Sequence, residues 1–581
     1  MRYSRLTYRR ASKAVCLIAA LLVTAQAPAL VWAEQPFPMP GWFKDSVVRP
    51  ARQPKEQSVS QYLKSLDRDG KLGLTEADAI RLVLENNLDV YTDRYDPRMA
   101  QFDLDRAYGI FDPRFQVSLS AGRRTIPQSN TIISGVEALK NLDHGVNFSF
   151  GQLLRTGTSY SFDFNNTRQS SNNLFNLVNP LLASSLTARI SQPLLRNFGL
   201  LPTMRPVLIA RNNKDRSEYL FAQRLIFMVN QVQNLYWELV FAREDIKVKQ
   251  RSLDLATKTN EDNKRQVEIG TMAPIDVVKS ESEIANRKEE LIRAQYSLEQ
   301  QEDRLKKFIS TLGDPGEIRS RVEPTDKVLD SNALKDFDLV QAISYAIEAR
   351  PEIKQLKKDL ESAEINAKYF RNQLLPSVNL DLSYGVASLA GQSRTISGDR
   401  TQVILGPNTG LRDNFHQIFG TDFPSYSAAI TVEVPITNRG AKADYARANL
   451  SKYQVEQRLR ALEQQIALEV RNAYTELEMN RARIEAAQKA RELAERNLEA
   501  EQKKFQLGTS TIRFVLEEQR NLAVAQSNEV RAQVDFTKAK NNLDVAVGKT
   551  LEVHNIRIED AIAGDVRPGR SATAPVSGIG N

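Results

Sequence analysis

The chain repeats itself. Asn234-Leu-Tyr-Trp-Glu-Leu239 returns as Asn472-Ala-Tyr-Thr-Glu-Leu477, 238 residues later. At that same spacing Arg243 meets Arg481, Leu255 meets Leu493, Gly270-Thr271 meets Gly508-Thr509, and Val277 meets Val515. Arg293-Ala294-Gln295 then meets Arg531-Ala532-Gln533, and Leu305 meets Leu543, with no gap. Upstream the spacing is 263: Ala79-Ile80 pairs with Ala342-Ile343, Glu85 with Glu348, and Pro113 with Pro376. A duplicated chain folds as two copies of one plan. Each half reads as helix, strand region, then long helical segment. The change of spacing makes the first strand region longer by about 25 residues, an insertion that costs little loop entropy. The halves span 75–312 and 338–550, joined by a charged, turn-rich linker at 313–337.

The helical segments are long. Residues of about 205–268, 272–312, 440–506 and 511–547 hold almost no Pro or Gly apart from Gly270, Pro274 and Gly508. A 65-residue helix is on the order of 100 Å long, beyond any ordinary domain. Each Gly-Thr marks a turn between antiparallel helices, because Gly accepts the positive φ that ends a helix. Two long helical hairpins follow. Thr75-Glu-Ala-Asp78 has the form of a capping box, and Asp338 starts the matching helix of the second half. Ile484, Ala487, Arg491, Ala494, Leu498, Glu501 and Phe505 form one stripe, and Ala486, Ala490, Leu493, Asn497 and Ala500 a second. Two seams on one helix call for a neighbour on each side.

The strand regions alternate with period two. Phe115, Val117 and Leu119, then Val146, Phe148 and Phe150, then Tyr160, Phe162 and Phe164 are separated by Ser, Asn, Gln or Asp. Val378, Leu380, Leu382 and Tyr384, and Ile430, Val432 and Val434, do the same in the second half. This pattern fits a sheet on a core, and it fits equally a membrane β-barrel. A hairpin over 145–165 in the first half either adds two strands or folds outside, and alternation does not decide between them. Prolines mark the junctions of strand and helix, Pro113 and Pro376 entering, Pro193 and Pro435 leaving.

Residues 1–33 have the form of a secretory signal peptide: Arg2, Arg5, Arg9, Arg10 and Lys13, an apolar run at 14–24, and Val31-Trp32-Ala33. The whole chain carries 79 Lys and Arg against 71 Asp and Glu. Without the leader the balance is 74 against 71, which gives no footing for nucleic-acid binding. The single Cys, Cys16, lies in the leader, and His144, His416 and His554 are far apart. A catalytic thiol is excluded from the mature chain, and no metal site, cofactor or catalytic set is assigned. Ser65 to Glu76 partly fits a calcium loop, with Asp67, Asp69, Gly70, Leu72 and Glu76 in register. The first ligand is Ser, however, and Glu76 is also claimed by a helix start. Residues 34–74 read as an N-terminal extension and 551–581 as a flexible C-terminal tail.

Leu74-Thr-Glu-Ala-Asp-Ala-Ile80 with Glu85-Asn86-Asn87, Ser191-Gln-Pro-Leu-Leu-Arg-Asn-Phe-Gly199, Val432-Glu-Val-Pro-Ile-Thr-Asn-Arg-Gly440 and the two Gly-Thr turns resemble the TolC-type outer-membrane efflux protein family. The resemblance covers about 75–550. It implies an α+β membrane protein, internally duplicated, whose long helical hairpins form a trimeric α-barrel in the periplasm. Its strands form a shared transmembrane β-barrel in the outer membrane of a Gram-negative cell. It also implies a homotrimer, outer-membrane lipid around it, and a periplasmic adaptor protein with an inner-membrane pump as partners. Tips Gly270, Thr271, Gly508 and Thr509 would face the adaptor. Family members carry acidic residues around the narrow periplasmic opening. Asp276 and Glu517 match such positions, whereas Phe514 stands where Asp276 has its counterpart and is a candidate apolar constriction. A Tyr and an Arg that close the gate in some members are Phe505 and Ser510 here, a departure from that network.

The expected function is a passive conduit for efflux or type I secretion, not an enzyme. The alternatives are a periplasmic adaptor, which needs one hairpin and a lipoyl-like domain, and a coiled-coil scaffold, which needs no alternating aromatic strands. The sequence names no cargo.

Overall fold

The computed structural model describes residues 66–68, 71–129, 135–310, 320–326, 337–396 and 403–564. The expected leader, most of the N-terminal extension, parts of the linker and the chain after 564 lie outside the described residues.

Strands β1 (Asp67–Arg68) and β2 (Lys71–Leu74) pair antiparallel and lead into α1 (Glu76–Asn86). Thr75 caps α1 as expected: the Asp78 N–H donates to Thr75 Oγ1 and the Thr75 N–H donates to Asp78 Oδ2, both at 3.1 Å. Helices α2 (Leu88–Asp93) and α3 (Tyr95–Tyr108) carry the chain to Pro113. Four strands follow: β3 (Arg114–Pro127), β4 (Ala138–Leu153), β5 (Ser159–Ser171) and β6 (Val178–Pro193). The first hairpin is α4 (Leu200–Glu268) and α5 (Pro274–Ile309). After β7 (Arg321–Pro324) the plan repeats with α6 (Leu339–Ala349), capped by Asp338 Oδ1, and α7 (Pro351–Asn372). Next come β8 (Ser377–Ile396), the short β9 (Val403–Asn408), α8 (Leu411–Gly420) and β10 (Pro424–Glu433). The second hairpin is α9 (Arg439–Gln506) and α10 (Ile512–Val547), followed by α11 (Thr550–Val553) and α12 (Ile558–Ala563). At 69 and 68 residues, α4 and α9 are each on the order of 100 Å long.

Each half builds its own core where its first helix meets its hairpin. In the first, Ile80, Leu82 and Val83 pack with Leu225, Val232, Tyr236, Trp237 and Leu305. In the second, Ala346 and Ile353 pack with Ile466, Val470, Leu477, Phe536 and Leu543. The repeated tyrosines do different work. Tyr236 is fully buried and its hydroxyl donates to Leu74 O at 3.1 Å and Asp326 Oδ2 at 2.9 Å, while Tyr474 stacks on Phe337.

Within the 313–337 linker β7 pairs parallel with β2 and buries Val322 beside Leu72 and Leu74. One expectation changes: residues 551–564, read as part of a flexible tail, are packed, since Leu551, Ile556, Ile558 and Ile562 lie against the first core and Ala561 is buried in it. Both segments are short, and their partners lie hundreds of residues away, so no periodicity announces them. The calcium-loop reading also loses its last ligand. Glu76 Oε1 instead accepts from Gln233 Nε2 at 2.7 Å and Asn541 Nδ2 at 3.1 Å.

The long strands form one antiparallel sheet in the order β10-β8-β6-β5-β4-β3, with β9 on the far end of β8. Register aligns the side chains across all six strands of that order. Phe115, Phe150, Phe162, Ala188, Tyr384 and Tyr426 form one cross-strand row, and Val117, Phe148, Phe164, Leu186, Val386 and Pro424 the next. The row between them, on the opposite face, is Gln116, Ser149, Asp163, Thr187, Gly385 and Ser425. Through these rows one face is apolar and the other polar, whereas farther toward β9 the apolar face takes up Asn166, Ser184 and Ser388. The 145–165 hairpin belongs to β4 and β5, which lie between β6 and β3 in this sheet.

Candidate functional site

The hairpin tips are two copies of one Schellman motif. At the first, the Gly270 N–H donates to Val267 O at 3.0 Å and the Thr271 N–H donates to Gln266 O at 2.9 Å. At the second, Gly508 donates to Phe505 O and Thr509 to Lys504 O, both at 3.0 Å. The threonine hydroxyls repeat the bond, to Gln266 O at 3.0 Å and to Lys504 O at 3.1 Å. Gly270 and Gly508 have φ of +77° and +75°, a left-handed backbone that Gly adopts without strain and branched residues do not, so backbone geometry selects the glycine of each pair. Pro274 then opens α5 at its first turn, where a missing N–H is harmless.

Asp276 lies in the first turn of α5 and pairs with Lys279 at 2.9 Å. Phe514 holds the equivalent place in α10 and is half exposed. Glu517, one turn on, is exposed. Asp276 and Glu517 are not bonded to each other. The tips themselves do meet: Leu498, Ile512, Val515 and Leu516 of the second hairpin pack against Leu255 and Met272 of the first, with Phe505 at the margin. The Ser510 hydroxyl donates to Glu501 Oε1 within its own hairpin.

Sequence reading missed the bonds that clamp the two hairpins. Gln519 Nε2 donates to Thr259 Oγ1 at 2.9 Å. Arg520 reaches Glu283 at 2.8 Å, and Glu283 also pairs with Arg287 at 2.7 Å. The Glu283 and Arg287 side chains are only 8% and 3% exposed. Further up, Glu238 of α4 receives both Arg531 at 2.9 Å and Lys538 at 2.6 Å from α10. In the sequence these are ordinary helix charges, and only the second hairpin buries them.

The four junction prolines sit at strand ends. Pro113 and Pro376 immediately precede β3 and β8, Pro193 ends β6, and Pro435 lies two residues beyond β10. Two of these junctions touch, since the Leu194 N–H donates to Val378 O at 2.7 Å and the Arg196 N–H to Pro376 O at 3.3 Å. The polar face of the sheet carries its own bonds: Ser149 to Asp163 at 2.6 Å, Ser191 to Asp381 at 2.6 Å, and Arg189 to Asp163 at 3.7 Å.

A polar cleft of about 370 Å³ lies between α1, α4, α10 and the chain after α11, lined by Glu76, Gln233, Trp237, Asn541, Asp544 and His554. Burial raises the pKa of Glu76 and Asp544 and drives His554 down to about 4. The signs oppose. His554 favours the fold above its ordinary value of 6.5, and that contribution is lost as pH falls toward 4. Glu76 favours the fold at low pH and opposes it once ionised. Glu76→Gln is therefore expected to raise the unfolding temperature at pH 7 and to change little at pH 4. His554→Asn is expected to abolish the loss of stability between pH 6.5 and 4 that His554 causes. Thermal unfolding of the purified oligomer at both ends of the range checks this, and a pH-independent effect of Glu76→Gln contradicts it.

Among the described residues no group of three or more His, Cys, Asp or Glu is placed to hold a metal ion, and no helix is long and apolar enough to cross a membrane.

Comparison with known proteins gives one answer. A family model described as Outer membrane efflux protein matches residues 79–311 and 342–549. Nodulation protein T of Rhizobium leguminosarum bv. trifolii is 23% identical over 326 residues, 55% of this chain and 62% of that protein. The alkaline protease secretion protein AprF of Pseudomonas aeruginosa is 24% identical over 135 residues, 23% of this chain and 28% of that protein. The chain thus spans less than two thirds of these relatives. Among solved structures, the outer-membrane channel OprN has a TM-score of 0.58 at 14% identity, covering 86% of this chain and 98% of its own. The CmeC outer membrane channel of Campylobacter jejuni has a TM-score of 0.57 at 16% identity, covering 93% and 98%. The low identity makes these two structures a likeness of fold. The family match falls on both repeats and covers more than half of the sequence, so the chain belongs to the outer membrane efflux protein family.

Proposed function

We propose that the chain is one subunit of a homotrimeric outer-membrane channel, a passive conduit for efflux or type I secretion. The observation that carries this is the sheet. Its apolar face is open at both edge strands, with Phe115 67%, Ile430 65% and Tyr426 86% exposed, while α8 lies on it farther out, Phe415 stacking on Phe164; large aromatics left open in this way mark a surface that water alone does not cover. Lipid on that face and water on the polar face is the arrangement of a membrane barrel wall. Among the described residues the outer edges of β3 and β10 have no partner, so further copies are needed to close the wall. The helices support the same reading. On α9 the stripe with Ile484, Ala494 and Leu498 is buried inside the chain, whereas Leu493 of the second stripe is 57% exposed, with Ala486 and Ala490 exposed beside it. That seam suits a neighbouring subunit.

In this reading the hairpins form a periplasmic tunnel, and Gly270-Thr271 and Gly508-Thr509 dock a periplasmic adaptor that links the channel to an inner-membrane pump. The pump supplies the energy, and no residue here makes or breaks a bond. Asp276 and Glu517 place negative charge at the narrow end, with Phe514 as an apolar constriction. Replacing both acids by Ala is expected to reduce cation selectivity in bilayers, and unchanged selectivity rejects their role. The assembly itself is tested by fractionation and light scattering. A detergent-extracted trimer from the outer membrane is expected, and a soluble periplasmic monomer rejects the reading.

A further inference from the structure

We propose that the β4–β5 hairpin is part of the membrane wall, so that three chains, each supplying six strands, close an eighteen-stranded barrel. This rests on the reading of the chain as a trimeric outer-membrane channel and goes beyond it in fixing the wall.

The duplication identifies the hairpin as an addition. In the second half two long strands lie between the prolines, β8 after Pro376 and β10 before Pro435. In the first half β3 follows Pro113 and β6 ends at Pro193, which makes β3 the counterpart of β8 and β6 the counterpart of β10. Strands β4 and β5 have no counterpart. A hairpin is the unit an antiparallel wall can accept, because two strands restore the chain direction. An even number per chain also leaves β3 and β10 running in opposite directions, so neighbouring copies join antiparallel.

The register places the hairpin in the wall and not outside it. Phe150 and Phe162 complete the first apolar row, Phe148 and Phe164 the second, and Ser149 and Asp163 the polar row between them. Phe115, Phe148 and Phe164 stack in series across β3, β4 and β5, with centroids 6.3 and 6.4 Å apart. A hairpin folded away from the membrane has no reason to continue both faces of its neighbours. The turn between β4 and β5 is also fitted to the helical end of the wall. Gly157 has φ of +89°, and a Cβ there would meet Thr203 Oγ1 at 3.0 Å and Pro193 Cγ at 3.3 Å. Thr158 Oγ1 donates to Gln192 Oε1 beside that proline.

The consequence is a wider exit. Barrel diameter grows with strand number, so eighteen strands give about 36 Å between backbones where twelve give about 24 Å.

Single cysteines test the hairpin, in a Cys16→Ser background that removes the chain's one native cysteine. Asn147→Cys and Ser161→Cys lie on the polar face of the hairpin, Phe148→Cys and Phe162→Cys on its apolar face. Leu382→Cys and Ser383→Cys provide the same pair on β8, in the half without the addition. Cells are treated with a charged, membrane-impermeant maleimide. At least about tenfold faster labelling of 147, 161 and 383 than of 148, 162 and 382 is expected. Alternation on β8 with equal labelling at all four hairpin positions overturns the inference and leaves the channel reading standing. Loss of alternation on β8 as well overturns both.

Discussion

Glu283→Ala is expected to destabilise the tip half of the helical bundle by about 3 kcal/mol. Glu283 is the shared anion between Arg287 of its own helix and Arg520 of the other hairpin, at 2.7 and 2.8 Å. Arg287 is almost wholly buried, and removing its partner leaves a cation out of water. Such losses run to about 3–5 kcal/mol, and the low end applies because Glu290 stands 3.6 Å from Arg287. Replacing both buried partners, Glu283→Met with Arg287→Met, is expected to recover most of the loss, since the desolvation of both charges goes with them. Thermal unfolding and limited proteolysis near residue 270 measure the two variants. A Glu283→Ala protein within about 0.5 kcal/mol of the parent contradicts the clamp.

Substituting Val at both Gly270 and Gly508 is expected to abolish export while the trimer persists. The added Cβ meets nothing within 4 Å at either site, so crowding is not the cause. The penalty is conformational, about 1–2 kcal/mol for a branched residue at positive φ, and it falls on the two Schellman bonds that shape each tip. A fold of this length survives that penalty, whereas the docking surface proposed at the four tip residues is expected not to. Asn tolerates the left-handed region, so Gly270→Asn with Gly508→Asn is expected to retain export. Normal export from the valine pair rejects the tips as the adaptor-facing site.

What could be read from the sequence was what local chemistry decides. The Thr75–Asp78 capping box, the Asp338 cap, the Gly-Thr turns and the proline-bounded strands each depend on residues within a few positions of one another. The buried stripe through Ile484, Ala494 and Leu498 was legible for the same reason, being carried by period alone. What could not be read depends on distant partners. Alternation in β4 and β5 is the same whether the hairpin is inside or outside the sheet, and only the register with β3 and β6 separates the cases. Strand β7 exists because Leu72 and Leu74 of β2 cover Val322. The Glu283, Arg287 and Arg520 cluster had no signal at all, since solvated i,i+4 pairs look identical until a second hairpin closes over them. Asp276, Phe514 and Glu517 were placed by distance from the tips, and the structure puts them on tips that pack together.

Planar-bilayer conductance of the size-selected, detergent-extracted oligomer tests the central claim most directly. Discrete, cation-biased steps from a trimer are expected, with the bias reduced when Asp276 and Glu517 are both Ala. A water-soluble monomer without conductance would contradict it, and would make the apolar rows from Phe115 to Tyr426 the inside of a soluble β domain.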